Sequence, residues 1–167
     1  GYTYGLYWSL ELIAWSPNYI IEVFDILGKL KKYDNKAIEV MTRILLPWYP
    51  QTMADSTLRI ATVKMLLKEN GEVGWELLMN LMPHKQMTSF PTYKPKWNNT
   101  IIEADRKVTK QELYKEYKEY IYLAIEYSRT NPQRIAKLVD IMDDIPKDLF
   151  DLIYDKITSE EVITMSD

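Results

Sequence analysis

The stretch Leu45–Thr52, which reads Leu-Leu-Pro-Trp-Tyr-Pro-Gln-Thr, decides the fold. Pro47 and Pro50 each lack a backbone N–H, and each disfavours a helical conformation in the residue before it, so the two cannot both lie inside a helix. Trp48 and Tyr49 between them are large and mostly apolar, and we expect them to pack against neighbouring helices. The sequence therefore predicts a structural corner at these four residues, between two helical layers.

Apolar residues recur at helical spacing on both sides of this corner. Before it, the spacing predicts helices over Tyr4–Ala14, Pro17–Leu30 and Ala37–Leu46, with Ser16 as the N-cap of the second. After it, the predicted helices are Thr57–Glu69, Glu72–Met82, Lys110–Arg129, a helix opened by Asn131 and Pro132, and Asp148–Ile157.

The predicted boundaries of the later helices come from capping signals. Asp55 or Ser56 caps the helix after the corner, whose predicted buried stripe is Leu58, Ala61, Met65 and Leu66. Asn70-Gly71 is expected to terminate that helix. Thr109 and Glu112 have the spacing of a capping box at the start of the longest helix.

The segment Ser16–Leu27 can be aligned with Asn131–Met142, since a cap residue, a proline and several apolar positions coincide. An αα-hairpin used twice is typical of helical solenoids. We therefore predict an all-α fold of stacked antiparallel helical hairpins, an α-solenoid of the HEAT or TPR kind, with one long ordered loop. A non-repeating helical bundle is the alternative. The whole chain, residues 1–167, is expected to be one helical-repeat domain and a fragment of a longer protein.

Composition excludes several classes of protein. The chain has 167 residues, no cysteine and a net charge of −3, so it offers no disulfide framework, no thiolate metal site and no global attraction to nucleic acid. No apolar run approaches the roughly 18–20 residues that span a membrane. We expect a cytoplasmic protein that does not bind membranes.

The segment 83–99 has no helical periodicity and contains lysines interleaved with aromatic residues, but no acidic residue. Its candidate partner-binding residues are Lys85, Tyr93, Lys94, Lys96 and Trp97. They could contact phosphates and stack on bases, which makes a nucleic-acid-binding module the alternative function. The favoured interpretation is a structured connection whose aromatic side chains anchor it to the helices beneath. A separate hypothesis is that the segment binds a protein, with Tyr93 and Trp97 as anchors.

No pattern in the chain predicts catalysis. His84 is the only histidine, and a catalytic dyad or zinc site normally needs more than one histidine or a cysteine. Asp140, Asp143 and Asp144 could gather on one helix side, but no calcium-loop pattern follows them. Most carboxylates fall at helix caps and on faces expected to be solvated. We predict no enzyme activity, no cofactor and no metal; an unrecognised carboxylate site is the rival hypothesis.

Four strings resemble a run found in long bacterial proteins: Leu12–Pro17, Leu46–Thr52, Glu72–Leu78 and Pro91–Trp97. Those proteins look like signal-transduction NTPases with numerous domains, the STAND class, several of which act in phage defence. The run lies in their helical region, C-terminal to the ATPase. The resemblance implies a helical sensor or scaffold that binds a trigger, commonly a foreign protein, or other domains of the same chain. It implies no activity for this segment, because the matching strings carry no catalytic residue.

Overall fold

The computed structural model describes residues 2–83 and 107–158. Within these ranges the chain forms eight α-helices and no β-strand. In chain order they are α1 (Tyr2–Ala14), α2 (Ile20–Leu30), α3 (Lys36–Leu45), α4 (Ser56–Glu69), α5 (Gly71–Asn80), α6 (Lys110–Ser128), α7 (Pro132–Ile141) and α8 (Lys147–Thr158). A 3-10 turn over Met142–Asp144 follows α7. The predicted all-α class is confirmed.

Each helix packs chiefly against helices one or two places away in the chain. α1 lies against α2 and α3, α4 lies against α2, α5 and α6, and α6 lies against α5, α7 and α8. The largest fully buried side chains in the core between them are Tyr120, Phe24, Ile20, Leu27, Met41, Ile44, Leu45, Leu77, Leu78, Leu81, Met82 and Ile121. Burial of this apolar surface is the main force that holds the helices together.

The connection between α3 and α4 is bonded to the end of α1 through two residues that follow the corner. The hydroxyl of Thr52 donates to the carbonyl of Ala14 at 2.6 Å, and the N–H of Met53 donates to the carbonyl of Trp15 at 3.0 Å. The last carbonyls of a helix have no partner within that helix. Thr52 and Met53 supply donors to carbonyls at this end of α1, and these bonds fix the position of α1 relative to the rest of the fold.

Three of the predicted helix starts are confirmed at atomic detail. A carboxylate oxygen of Asp55 accepts a hydrogen bond from the N–H of Leu58 at 2.8 Å, as an N-cap does. Thr109 and Glu112 form the reciprocal capping box at the start of α6. Asn131 caps α7, whose first residue is proline. These starts were predictable because each depends on residues within one helical turn.

The predicted start of α2 is wrong. The N–H of Ser16 donates to the carbonyl of Ile13, and the N–H of Tyr19 donates to the carbonyl of Ser16, so the chain makes a turn before α2 begins at Ile20. Ser16 is therefore not the cap of α2. The cap and proline that align Ser16 with Asn131 begin a helix in α7 but not in α2.

The predicted end of α4 at Glu69 is confirmed, with Asn70 as its C-cap, but Gly71 does not have the predicted role. Asn70 alone separates α4 from α5, and Gly71 is the first residue of α5 rather than the terminator of α4. No described glycine has a positive φ, so this junction does not use the left-handed conformation that makes glycine a common helix terminator. The side chain of Asn70 instead accepts a hydrogen bond from the N–H of Val73.

The inner face of α4 differs from the predicted stripe. Ala61 is exposed, and Leu58 and Met65 are only partly buried. The residues that α4 buries are Arg59, Thr62, Val63, Leu66 and Leu67. α4 therefore turns an arginine into the protein, and that arginine needs a buried partner.

Candidate protein-binding surface

The residues that the sequence indicated for partner binding lie outside the described part of the chain. They are Lys85, Tyr93, Lys94, Lys96 and Trp97, and His84 lies there too. Their proposed roles stay predictions. The interface described below is built from other residues.

The four predicted corner residues differ in their burial. Pro47 is buried, Trp48 and Pro50 are partly buried, and Tyr49 is 41% exposed. The rings of Trp48 and Tyr49 lie 6.1 Å apart, centroid to centroid. Residues just after them are more deeply buried: Gln51 retains 2% of its accessible surface. The expectation that both aromatic rings pack inward is met only in part, because Tyr49 lies at the surface.

A large apolar surface lies on the outward side of α1. Leu6, Trp8 and Ile13 are each 42–47% exposed, Tyr4 is 68% exposed, and Tyr2 is fully exposed. We call these five residues the α1 face. They lie on two flanks of the exposed half of the helix, with Tyr4 and Trp8 on one flank and Tyr2, Leu6 and Ile13 on the other. Exposed apolar residues in this number on one helix make it a candidate interaction site. The sequence pattern does not indicate this surface, because apolar residues at helical spacing predict burial.

The opposite side of α1 belongs to the core. Tyr7, Leu10 and Ala14 are buried, and α1 packs there against α2 and α3. No residue of α1 before Glu11 is charged. A helix that is apolar on all sides is typical of elements buried all round. In the described part of the protein, α1 is covered on its inner side and also at Leu12, one turn beyond Trp8, while the residues of the α1 face are open.

Two small residues lie between the exposed rows of α1. Gly5 and Ser9, four residues apart, lie on the same side of the helix, because α-helical side chains at this spacing are neighbours. Tyr4 and Trp8 form the row on one side of them, and Leu6 lies on the other. The hydroxyl of Ser9 donates to the carbonyl of Gly5 at 2.8 Å. The hydroxyl hydrogen of Ser9 is therefore already bonded within α1.

The charges at the edge of the α1 face are paired. Arg43 of α3 forms an ion pair with Glu11 of α1. The ammonium of Lys36 lies 4.9 Å from the ring centroid of Tyr4, within the range of a cation–π contact. These contacts attach the border of the face to α3 and leave its centre apolar.

A cluster of polar side chains is buried between α4 and α6. Arg59 donates from Nε to Oε1 of Glu116 at 3.0 Å and from Nη2 to Oε2 at 2.7 Å. Its Nη1 donates to the carbonyl of Ala54 at 2.6 Å. The hydroxyl of Tyr120 donates to Oε1 of Glu116 at 3.0 Å. We call Arg59, Glu116 and Tyr120 the buried triad.

The expectation that carboxylates lie on solvated surfaces is wrong for Glu116, whose side chain has no accessible surface. A bidentate arginine–carboxylate pair is strong and directional. The hydrogen bonds of the buried triad given above all end inside the protein, on α4, on α6 or on Ala54, which precedes α4. The triad therefore has the geometry of a structural support that fixes α6 against α4, rather than that of a catalytic centre.

Burial near this triad raises the pKa of two tyrosines. Desolvation, with the charge of Glu116 as a smaller cause, raises the pKa of Tyr117 to about 12. Desolvation raises the pKa of Tyr120 well above its ordinary value, and the charge of Glu116 and the hydrogen bond to it act in the same direction. Both phenols are therefore held neutral in the folded state at pH values where unfolded tyrosines ionise.

The stability of the fold is expected to fall as the pH rises from about 10 through 12. Below pH 10 both tyrosines are neutral in the folded and unfolded states, so their contribution to the free energy of unfolding is fully present there. Above it the unfolded state releases phenolic protons first and is favoured. Urea unfolding measured between pH 8 and 12 tests this. The free energy of unfolding should fall less steeply with pH in Tyr117→Phe than in Tyr154→Phe, because Tyr154 is 57% exposed. Equal slopes would contradict it.

Another cluster surrounds Arg134 of α7. Its Nη1 donates to the carbonyl of Tyr127 at 3.0 Å, and its Nη2 donates to Glu72 at 2.8 Å. The guanidinium lies 5.0 Å from the ring centroid of Trp75, so it stacks on the indole. Arg134 thus joins α7 to the start of α5 and the end of α6.

Within residues 2–83 and 107–158, no three His, Cys, Asp or Glu side chains come together in a way that could hold a metal ion. In the same ranges none of the helices has the length and apolar character that crossing a membrane requires. No family model, curated protein or solved structure matches the chain.

Proposed function

We propose that this chain is a protein-binding helical scaffold and that the α1 face is its contact surface. The observation that carries the proposal is the exposure of Tyr4, Leu6, Trp8 and Ile13 on one helix whose opposite side is in the core. Tryptophan and tyrosine supply much of the binding energy at protein interfaces. An uncharged centre with paired charges at its edge suits a surface that another protein covers.

The finer architecture belongs to the same proposal. We infer a solenoid-like stack of helical hairpins, supported by packing chiefly between helices one or two places apart. In such a stack each unit contacts its neighbours, and end units need a polar outer face to remain exposed. The apolar α1 face does not have that character, so in a stack it is a surface to which another element is added.

The biological setting is proposed from the sequence resemblance. The four strings similar to STAND-class NTPases suggest a sensing segment of a larger NTPase in phage defence. The natural reading frame tests this part of the proposal. A P-loop NTPase domain encoded upstream would support it. A reading frame without such a domain would contradict the NTPase assignment and leave the protein-binding proposal in place.

Site-specific photo-crosslinking tests the protein-binding proposal. A benzophenone amino acid replaces Trp8 in the full natural polypeptide, and Tyr154 is replaced in a matched control. Both residues are aromatic and about half exposed, at 47% and 57%, but Tyr154 lies on α8. We expect irradiation to link a protein to position 8 at least about 10-fold more than to position 154, since binding concentrates at a few anchor residues.

Mass spectrometry of the linked product identifies the partner, whether another protein or a second copy. Equal linkage at the two positions would contradict the proposal.

The alternative, nucleic-acid binding by the segment 83–97, predicts a gel shift that weakens steeply with salt. That alternative depends on residues outside the described part of the chain.

A further inference from the structure

Asn70, the single residue between α4 and α5, is exposed and is followed by Gly71. Gly71 is the only glycine in the chain that follows an asparagine. The backbone nitrogen of the residue after an asparagine can attack Cγ of its side-chain amide, and a Cβ beside that nitrogen hinders the approach. Glycine has no Cβ, so this hindrance is absent at Gly71.

The backbone nitrogen of Gly71 is available for this attack. Gly71 is the first residue of α5, and the first N–H groups of a helix have no acceptor within that helix. No other acceptor among the described residues takes its N–H. The N–H of Asn70, by contrast, donates to the carbonyl of Leu66 at 2.8 Å. The nitrogen of Gly71 can therefore lose its proton and attack without first breaking a hydrogen bond.

The N-terminus of α5 favours addition to the side chain of Asn70. Oδ1 of Asn70 accepts a hydrogen bond from the N–H of Val73 at 3.4 Å. When a nitrogen adds to Cγ, negative charge develops on this oxygen. A backbone donor directed at such an oxygen and the positive end of a helix both stabilise that charge. The hydrogen bond that caps α5 therefore also lowers the barrier to the addition step.

The other described asparagines lack this combination. At three of them the N–H of the following residue is already bonded: Asn18, Asn35 and Asn80. Asn131 caps α7 as Asn70 caps α5, but the residue after it is Pro132, which has no N–H. Within the described part of the chain, Asn70 alone has a cap bond to its side chain and a free N–H after it.

We propose that Asn70 is a site of covalent self-modification, at which the nitrogen of Gly71 displaces ammonia from the side-chain amide. A bond forms between this nitrogen and Cγ, the bond from Cγ to Nδ2 breaks, and the proton of the Gly71 N–H leaves with the amino group as ammonia. Water then opens the resulting succinimide ring at either carbonyl. One opening gives aspartate, and the other gives isoaspartate, in which the main chain runs through Cβ and Cγ.

The two products differ in their effect on the junction of α4 and α5. Aspartate keeps an acceptor at the N-cap and places a negative charge at the helix N-terminus, where it is favourable. Isoaspartate adds one atom to the main chain of a junction that is one residue long. A Cβ at Gly74 would lie 2.5 Å from the backbone of Leu67, so α4 and α5 are in close contact just beyond this junction. We expect isoaspartate to loosen this helical hairpin.

Peptide mapping by mass spectrometry of the folded protein, kept at neutral pH, tests the proposal. Asn70 should deamidate at least about 10-fold faster than Asn35 and Asn131, because losing one well-placed donor in such a site usually costs that much or more. Isoaspartate should appear together with aspartate, because direct hydrolysis of the amide gives aspartate only. The rate should rise with pH, since the attacking nitrogen must lose its proton.

Gly71→Ala is the matched variant. A Cβ at Gly71 would lie 3.9 Å from Nη2 of Arg134, an ordinary contact, so the variant should fold. Its Cβ hinders the attacking nitrogen, and the reaction at Asn70 should be at least about 10-fold slower. Gly5→Ala adds a Cβ to α1, where it meets no atom, and should leave the rate unchanged.

The products are compared by thermal unfolding. Asn70→Asp, which has one product at this position, should unfold at or above the wild-type midpoint, whereas the fraction of aged protein that contains isoaspartate should unfold below it. Equal rates at Asn70 and Asn35, aspartate without isoaspartate, or an undiminished rate in Gly71→Ala would overturn the inference. An isoaspartate fraction as stable as Asn70→Asp would overturn its predicted effect on the hairpin.

Discussion

Glu116→Ala is expected to lower the free energy of unfolding by about 3–5 kcal/mol. The substitution leaves the guanidinium of Arg59, whose side chain is 8% exposed, without its counter-charge inside the protein. It also removes the acceptor of the Tyr120 hydroxyl. Urea unfolding monitored by circular dichroism measures the change, which should appear as a lower midpoint with a nearly unchanged slope.

The matched control is the exposed pair of Lys29 and Asp25, whose atoms lie at the same 2.7 Å separation. Asp25→Ala should have little measurable effect, because exposed ion pairs contribute little to stability. Replacing both partners, in Arg59→Met with Glu116→Leu, should recover more than half of the loss, since two apolar side chains leave no buried charge. A double variant as unstable as the single one would show that the charge is not the cause.

Gly74→Ala is the second substitution with a large expected effect. A Cβ at this position would lie 2.5 Å from N and 2.6 Å from Cα of Leu67, so the backbones of α4 and α5 would have to separate. Overpacking a core usually costs about 1–3 kcal/mol, and the clash with backbone, which cannot change rotamer, puts this case at about 3 kcal/mol.

Two other glycines provide a graded control for Gly74→Ala. In Gly28→Ala the nearest atom is the flexible end of Leu66, at 2.9 Å, which can shift, and alanine is also preferred to glycine inside α2, so stability should stay near that of the wild type. Gly5→Ala meets no atom and should stabilise the monomer by roughly 0.5–1 kcal/mol, the helix preference of alanine over glycine. The unfolding midpoint is expected to be highest in Gly5→Ala, close to the wild type in Gly28→Ala and lowest in Gly74→Ala. Wild-type stability in Gly74→Ala would contradict the close approach of α4 and α5.

Local features of the fold were predictable from the sequence because they depend on neighbouring residues. The capping box of Thr109 and Glu112 and the cap at Asn131 lie within one turn of the helices they begin. Apolar spacing likewise predicted all-helical structure. The predicted cap at Ser16 is wrong because the turn before α2 continues from α1. A cap residue followed by proline does not show whether the chain begins a helix or a turn there.

The buried triad was not predictable for the opposite reason. Arg59 and Glu116 are 57 residues apart, and each alone is ordinary for the outer side of a helix. The predicted buried stripe of α4 includes Ala61, which is exposed, and does not include Arg59, which is buried, because apolar spacing takes no account of a buried ion pair. The exposure of the α1 face is not predictable for a related reason. Apolar spacing shows that residues can be buried, but not whether this chain supplies what covers them.

The connection between α3 and α4 has a consequence for how the sequence can vary. Surface loops usually tolerate insertions and deletions. Here Thr52 and Met53 bond the end of α1, and the carbonyl of Ala54 bonds the arginine that holds α6. Adding or removing one residue would break this register at several points together, so the length of this connection is constrained as strictly as its composition.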